Sequence, residues 1–258
     1  MGRYNVGSLE SGMLLLEALV EHRQPVGVSE LARALNLDKS RAYRLLLTLK
    51  ANGYLEQDPE TRKYMVGPKL VILSSRILGN NDLYVQARPV MKEVRKGTGE
   101  TVHLAVRMED QAVYIAQEIS PEVIGVNTEV GQREPLYCTA VGKALVAFLP
   151  EAELEALVQQ LEFRPHTPRT ITSPAQFKAH CWEIRARGYA VDDEELHPGV
   201  RCIGAPIRGH DGSVVASLGI SGPASRLRLE VIPRLARLVV AGANKISYRL
   251  GYLEARSP

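Results

Sequence analysis

Lys39, Ser40, Arg41, Tyr43, Arg44, Leu47 and Thr48 fall in one short stretch of the chain, Lys39-Ser40-Arg41-Ala42-Tyr43-Arg44-Leu45-Leu46-Leu47-Thr48. The types are suited to one chemistry. Arginine forks onto guanine edges or phosphates, a hydroxyl bonds either, and an exposed leucine meets a thymine methyl. At about 100° per residue, Ala42, Leu45, Leu46 and Leu49 share one stripe, and Ser40, Tyr43, Arg44, Leu47 and Thr48 lie opposite. One face is core and the other is free, as expected of a helix that enters the major groove of double-stranded DNA with its N-terminal residues leading.

Such a helix must be held by a partner. Residues 29–37 supply one, with Ser29 as the expected N-cap, small Ala32 allowing a close crossing, and Asn36 tolerating the left-handed conformation that ends a helix. Asp38 is then placed to cap the second helix, which Gly53 ends. Beyond it, residues 54–57 and 62–66 are two short strand-like runs around Asp58-Pro59-Glu60-Thr61, a wing whose Arg62 and Lys63 are placed to reach a phosphate or the minor groove. Ahead of the pair, Leu9, Met13, Leu16 and Val20 recur at helical spacing after Ser8 and predict a third helix for the small core.

Charge supports this only locally. Residues 1–67 carry nine Lys and Arg against eight Asp and Glu, whereas residues 36–50 carry four positive residues and one negative one. The whole chain of 258 residues is +3 and 45% hydrophobic, which excludes a nucleic-acid coat or a membrane-adsorbing protein and allows more than one domain. No apolar run approaches the roughly 20 residues of a membrane span, and Met1–Asn5 has no signal-peptide core, so a cytoplasmic location is expected. Cys138, Cys181 and Cys202 cannot all pair and have no zinc-ligand spacing; free thiols and no metal or cofactor are expected. Gly142-Lys143 is not a phosphate loop, because glycine is missing at Tyr137 and a hydroxyl at Ala144.

Gly67-Pro68 punctuates the wing, and Leu70, Val71, Leu73, Ile77 and Leu78 follow as an apolar pattern broken at Gly79–Asp82. This predicts a linker helix that packs on a second subunit, with packing on its own chain as the competitor. From Leu83 a helix to about Thr98 precedes strands at 101–108 and 111–119. Further strands are expected at 123–126, 189–192, 202–207 and 214–221, with helices at about 140–149, 151–161 and 174–187. The last strand pair is a hairpin around His210-Asp211-Gly212-Ser213, and a closing helical region over 227–252 is interrupted or bent at Pro233. The fold class is mixed α/β (α+β). The loop at Thr139–Val141, leading into a helix, offers backbone amides and the positive end of the helix dipole to an anion such as a carboxylate.

In order along the chain, the winged helix, the linker helix, Pro135-Leu136-Tyr137-Cys138-Thr139-Ala140-Val141-Gly142-Lys143-Ala144, Asp193-Glu194-Glu195, Gly199-Val200-Arg201-Cys202 and Ile220-Ser221-Gly222-Pro223 together resemble the IclR family of bacterial regulators. The resemblance covers about Val6 to Tyr252. It implies an N-terminal winged helix-turn-helix over 1–67, a linker helix over 68–81 and a C-terminal GAF-like effector-binding domain over 82–258, with an antiparallel sheet and flanking helices. It further implies a homodimer or dimer of dimers that controls transcription, more often as a repressor, in response to a small organic acid. The family pattern carried onto this sequence puts the effector pocket at Val126, Ala140, Val141, Asp192, Val200, Cys202, Gly219 and Ser221. Serine is common in the family where Gly219 stands, so a wider pocket or a different ligand is expected. The competing readings are a cysteine enzyme built on Cys138 or Cys202 and a module whose winged helix contacts protein.

Overall fold

The computed structural model describes residues 6–22, 24–80 and 82–253; the side chains of residues 77–80 and 82 lie outside that description. The chain forms two compact units that divide between Asn80 and Asn81. The first runs α1 (Gly7–Glu21), α2 (Val28–Ala34), α3 (Lys39–Ala51), β1 (Leu55–Gln57), β2 (Tyr64–Val66) and α4 (Pro68–Asn80). The strands pair antiparallel, and Val26 adds a bridge to Tyr64.

The turn between α2 and α3 forms as its residues dictate. Asn36 sits at φ 50°, and Asp38 Oδ1 accepts the amides of Ser40 (2.9 Å) and Arg41 (3.1 Å). Ser29 is not a cap: α2 begins two residues earlier than that cap would allow, with Gly27 at the N-cap and its carbonyl accepting from Glu30 and Leu31. Helix α1 forms where the periodicity placed it, but a different stripe faces inward. Ser11, Leu15 and Leu19 are buried and Leu16 is half-buried, while Leu9, Met13 and Val20 are exposed. Ala32, Ala42, Leu46, Leu55 and Tyr64 complete the core, so truncating fully buried Leu46 costs about 2–5 kcal/mol.

The second unit runs α5 (Asp82–Thr98), β3 (Thr101–Met108), β4 (Gln111–Glu118), β5 (Arg133–Pro135), α6 (Ala140–Val146), α7 (Glu151–Gln160), α8 (Pro174–Arg187), β6 (Ala190–Asp193), β7 (Val200–Arg208), β8 (Val214–Pro223), a 3-10 turn (Leu229–Val231) and α9 (Ile232–Arg249). Its antiparallel sheet has the order β5-β4-β3-β8-β7-β6. The sheet lies between two cores. Val102, Leu104, Ile203, Ala205, Leu218 and Ile220 pack with residues of α5 and α9. On the other side Ala105, Ala112, Tyr114 and Ala190 pack with residues of α6, α7 and α8.

Three expectations are corrected here. Residues 123–126 are loop and not strand: Arg226 donates to the Ile124 carbonyl (2.7 Å), Ser120 N–H donates to Thr101 Oγ1 (3.1 Å), and Val123 is fully exposed. Pro233 neither breaks nor bends a helix; it stands in the first turn of α9, where its missing N–H is not needed. Helix α4 continues through Gly79 to Asn80, and Asn81 lies outside the described residues.

Helix α6 lies directly on the sheet because two strand positions lack a side chain. A Cβ at Gly204 would meet the Ala140 carbonyl oxygen at 2.5 Å and the Val141 nitrogen at 2.9 Å. At Gly219 it would meet Val141 Cγ1 at 2.6 Å and the Ile203 carbonyl oxygen at 3.0 Å. The first turn of α6 is thereby brought against β7 and β8.

Candidate nucleic-acid interface and ligand cavity

In α3, fully buried Ala42 and Leu46 fix the inner face, and Lys39, Ser40, Tyr43, Arg44, Leu47 and Thr48 are exposed on the other side. The backbone amides of Arg41 and Ser40 hold the Asp38 carboxyl below its ordinary range, so the cap is an anion under all neutral conditions. Arg41 departs from the expected role. Its Nη2 donates to the Gly7 carbonyl (2.8 Å) and to Ser11 Oγ (3.0 Å), tying α3 to α1, so in this arrangement its guanidinium is a strap and not a free reading group. Thr48 Oγ1 donates to the Arg44 carbonyl (3.0 Å), which leaves its lone pairs outward.

The wing turn is built on Asp58. Its Oδ1 accepts from the amides of Glu60 (3.0 Å) and Thr61 (2.6 Å) and from Thr61 Oγ1 (2.9 Å). Arg62 then takes φ 58° and precedes the returning strand, which begins only at Tyr64. Both Arg62 and Lys63 are exposed at the turn. Lys50 Nζ donates to Gln57 Oε1 (3.0 Å), and Gln57 Nε2 donates to the Arg62 carbonyl (2.9 Å), connecting the end of α3 to the wing.

The second unit encloses a cavity of about 90 Å³ between the first turn of α6, the sheet and the loop before β5. Val126, Ala140, Val141, Asp192, Val200, Cys202 and Ser221 line it. Gly219 does not, and the expectation of a wider pocket there is wrong: Val141 Cγ1 occupies the space a side chain at 219 would need. Sequence reasoning missed Tyr114, Thr128, Gln132, Glu134 and His197, which also line the cavity. Glu134 lies on β5, a three-residue strand with too little periodicity to be read.

Burial governs the chemistry of this wall. Asp192 is 3% exposed, and loss of hydration pushes its carboxyl up to about 6, against the pull of nearby Lys143. Its Oδ1 accepts the Glu195 amide at 2.7 Å. Lys143 is fully buried behind the wall, donating to the Val191 carbonyl (2.6 Å) and to the Glu195 carboxylate. His103 is buried on β3, its Nδ1 3.0 Å from Thr128 Oγ1 and its ring tilted on Tyr114; burial pushes it down to about 4, so it is neutral. The three cysteines are free, and burial raises the thiols of Cys138, Cys181 and Cys202, the opposite of an activated nucleophile. Among the described residues, no group of His, Cys, Asp and Glu could hold a metal ion, and no helix is long and apolar enough to cross a membrane.

A helix-turn-helix followed by a two-stranded wing defines a DNA-binding regulator as a class, and the other unit carries a partly enclosed cavity. Comparison with known proteins sharpens this. Residues 75–248 match the bacterial transcriptional regulator IclR C-terminal family and residues 8–59 the IclR helix-turn-helix domain. The HTH-type transcriptional regulator KdgR of Escherichia coli is 37% identical over 92% of this chain and 90% of its own length. The acetate operon repressor of Salmonella typhimurium is 31% identical over 95% and 90%. The crystal structure of the Thermotoga maritima IclR superposes with a TM-score of 0.80 at 35% identity, covering 96% of this chain and all of that one. The chain belongs to the IclR family of bacterial transcriptional regulators; it is a DNA-binding protein and not an enzyme.

Proposed function

We infer that this regulator reads a pseudo-palindromic promoter site as a dimer or dimer of dimers, and that a small carboxylate in the cavity changes its hold on DNA. The carrying observation is the outward face of α3, where Lys39, Ser40, Tyr43, Arg44, Leu47 and Thr48 are exposed while Ala42 and Leu46 are fully buried. Arg62 and Lys63 extend that surface at the wing. The division of labour is a reading domain over residues 1–67, a linker helix over 68–81 and an effector domain over 82–258. Exposed Leu9, Met13 and Val20 on α1 and Val71 and Ile72 on α4 support a second copy as the partner that covers them. Repression is the sign supported by the repressor among the relatives, and the bacterial cytoplasm is where such a protein meets its promoter.

Binding to a promoter duplex, followed by fluorescence anisotropy across a salt series, tests the reading. Log affinity should fall steeply with log salt through counterion release, and a flat response refutes duplex DNA as the partner. For the cavity, the effector and DNA must change each other's affinity by the same factor; equal effector affinity with and without DNA refutes the coupling.

A further inference from the structure

The walls of the cavity differ in how firmly they are held. Helix α6 meets the sheet backbone to backbone at Gly204, which leaves no room for a passage there. The wall that carries Leu196, His197 and Val200 is tied from several sides. Thr167 Oγ1 donates to the Glu194 carbonyl (2.8 Å), Thr170 Oγ1 to the Glu195 carbonyl (2.6 Å), and the Gly199 amide to Glu194 Oε2 (2.8 Å). The third wall is the loop from which Val126, Asn127 and Thr128 line the cavity. Among the described residues, no backbone hydrogen bond joins residues 123–128 to the rest of the chain. A segment held in this way opens at the lowest cost in free energy.

Side chains fasten that loop instead. Thr128 Oγ1 shares a hydrogen bond with Nδ1 of buried His103 (3.0 Å). Arg226 Nη1 donates to the Ile124 carbonyl (2.7 Å), while its Nε and Nη2 donate to Glu100 Oε1 (2.7 Å) and Oε2 (2.6 Å). Glu100 is buried, and a Cβ at Gly222 would collide with its carboxylate. The forked pair fixes the guanidinium, so one rigidly aimed donor remains for the loop. Val123 and Ile124 are already exposed, and lifting them away removes little apolar surface from its packing. We propose that residues 123–128 are the door of the cavity, latched at Ile124 by Arg226 and at Thr128 by His103, and that a ligand enters and leaves there. This rests on the reading that the cavity takes a ligand.

Cys202 lines the cavity and Cys138 and Cys181 do not, so thiol labelling reports the door without any ligand. The full chain is treated with methyl methanethiosulfonate under native conditions, and each cysteine is followed by peptide mass spectrometry. Arg226→Lys keeps a cation beside Glu100 and loses the fork; Thr128→Val keeps the side-chain shape and loses the hydroxyl. Each should speed labelling of Cys202 by about 3- to 10-fold, the factor by which losing one hydrogen bond raises the open population, with Cys138 and Cys181 at their wild-type rates. Glu194→Ala, which frees Gly199 on the opposite wall, should leave all three rates unchanged. The door is overturned if Cys202 ignores both latch variants, or responds as strongly to Glu194→Ala. It is overturned equally if Cys202 speeds up only together with Cys138 and Cys181, or stays unlabelled in every form while the denatured chain reacts. Those outcomes leave the ligand reading standing, which fails separately if effector and DNA do not alter each other's affinity.

Discussion

Gly219→Ser places a side chain where the sheet meets α6, and the packing around it makes the outcome calculable. The new Cβ arrives 2.6 Å from Val141 Cγ1 and 3.0 Å from the Ile203 carbonyl oxygen. Val141 is 4% exposed on a helix pressed against β7, so it has little freedom to yield. Overpacking of this kind costs about 1–3 kcal/mol. Val141→Ala alone removes buried methyl groups and costs about 1–3 kcal/mol by the reverse route. In the double variant the serine side chain enters the space the valine vacates, so the two costs should fall short of their sum by about 1–2 kcal/mol. Urea unfolding of the wild type and the three variants measures this as a double-mutant cycle. In a thermal melt each kcal/mol should move the midpoint by about 2–4 °C for a unit of this size. If Gly219→Ser is neutral, or if the two changes add within about 0.5 kcal/mol, Val141 does not fill that space and the account of the cavity floor is wrong.

Arg44→Ala should cost about 1–3 kcal/mol in specific operator binding if the side chain reads a base, with a uniform loss on all sequences marking a phosphate contact instead; Arg41→Ala should lower the melting temperature as well, because it releases α1. Asp192 binds its proton near pH 6 when folded and near 3.8 when unfolded, so the folded state holds more protons between those values and its stability falls as pH rises through that window. Asp192→Asn should remove that part of the slope in unfolding curves taken from pH 4 to 7, and an unchanged slope would show the carboxyl to be solvated. Lys143→Met strands the Glu195 carboxylate in the interior and should destabilise by about 3–5 kcal/mol, while Lys143→Met with Glu195→Leu should recover most of it; chemical denaturation of both variants decides.

What could be read along the chain was local. The Asp38 cap, left-handed Asn36, the two faces of α3 and the turn around Asp58 depend on residues within a few positions of each other, so composition and spacing specify them. The hairpins at 101–118 and 200–223 followed from alternation and turn residues for the same reason. Residues 123–126 misled because an apolar run has strand character in isolation, while side chains of Ser120 and Arg226 anchor that loop. The Ser29 cap failed by two residues because Gly27, with its extended backbone, starts the helix first.

The amino-acid sequence by itself determined that α1 and α3 are amphipathic, that a reading helix with a basic tip follows a tight turn, and that a mixed α/β unit comes after it. Only the tertiary structure decided which of two apolar stripes of α1 turns inward, because equal periodicity serves either face until α2 and α3 pack on one. It decided too that Arg41 serves α1, a contact spanning 34 positions, and that Glu134 joins Asp192 around one cavity. Separations of that size carry no periodic signal; they are fixed by which surfaces exclude water together once the chain has closed.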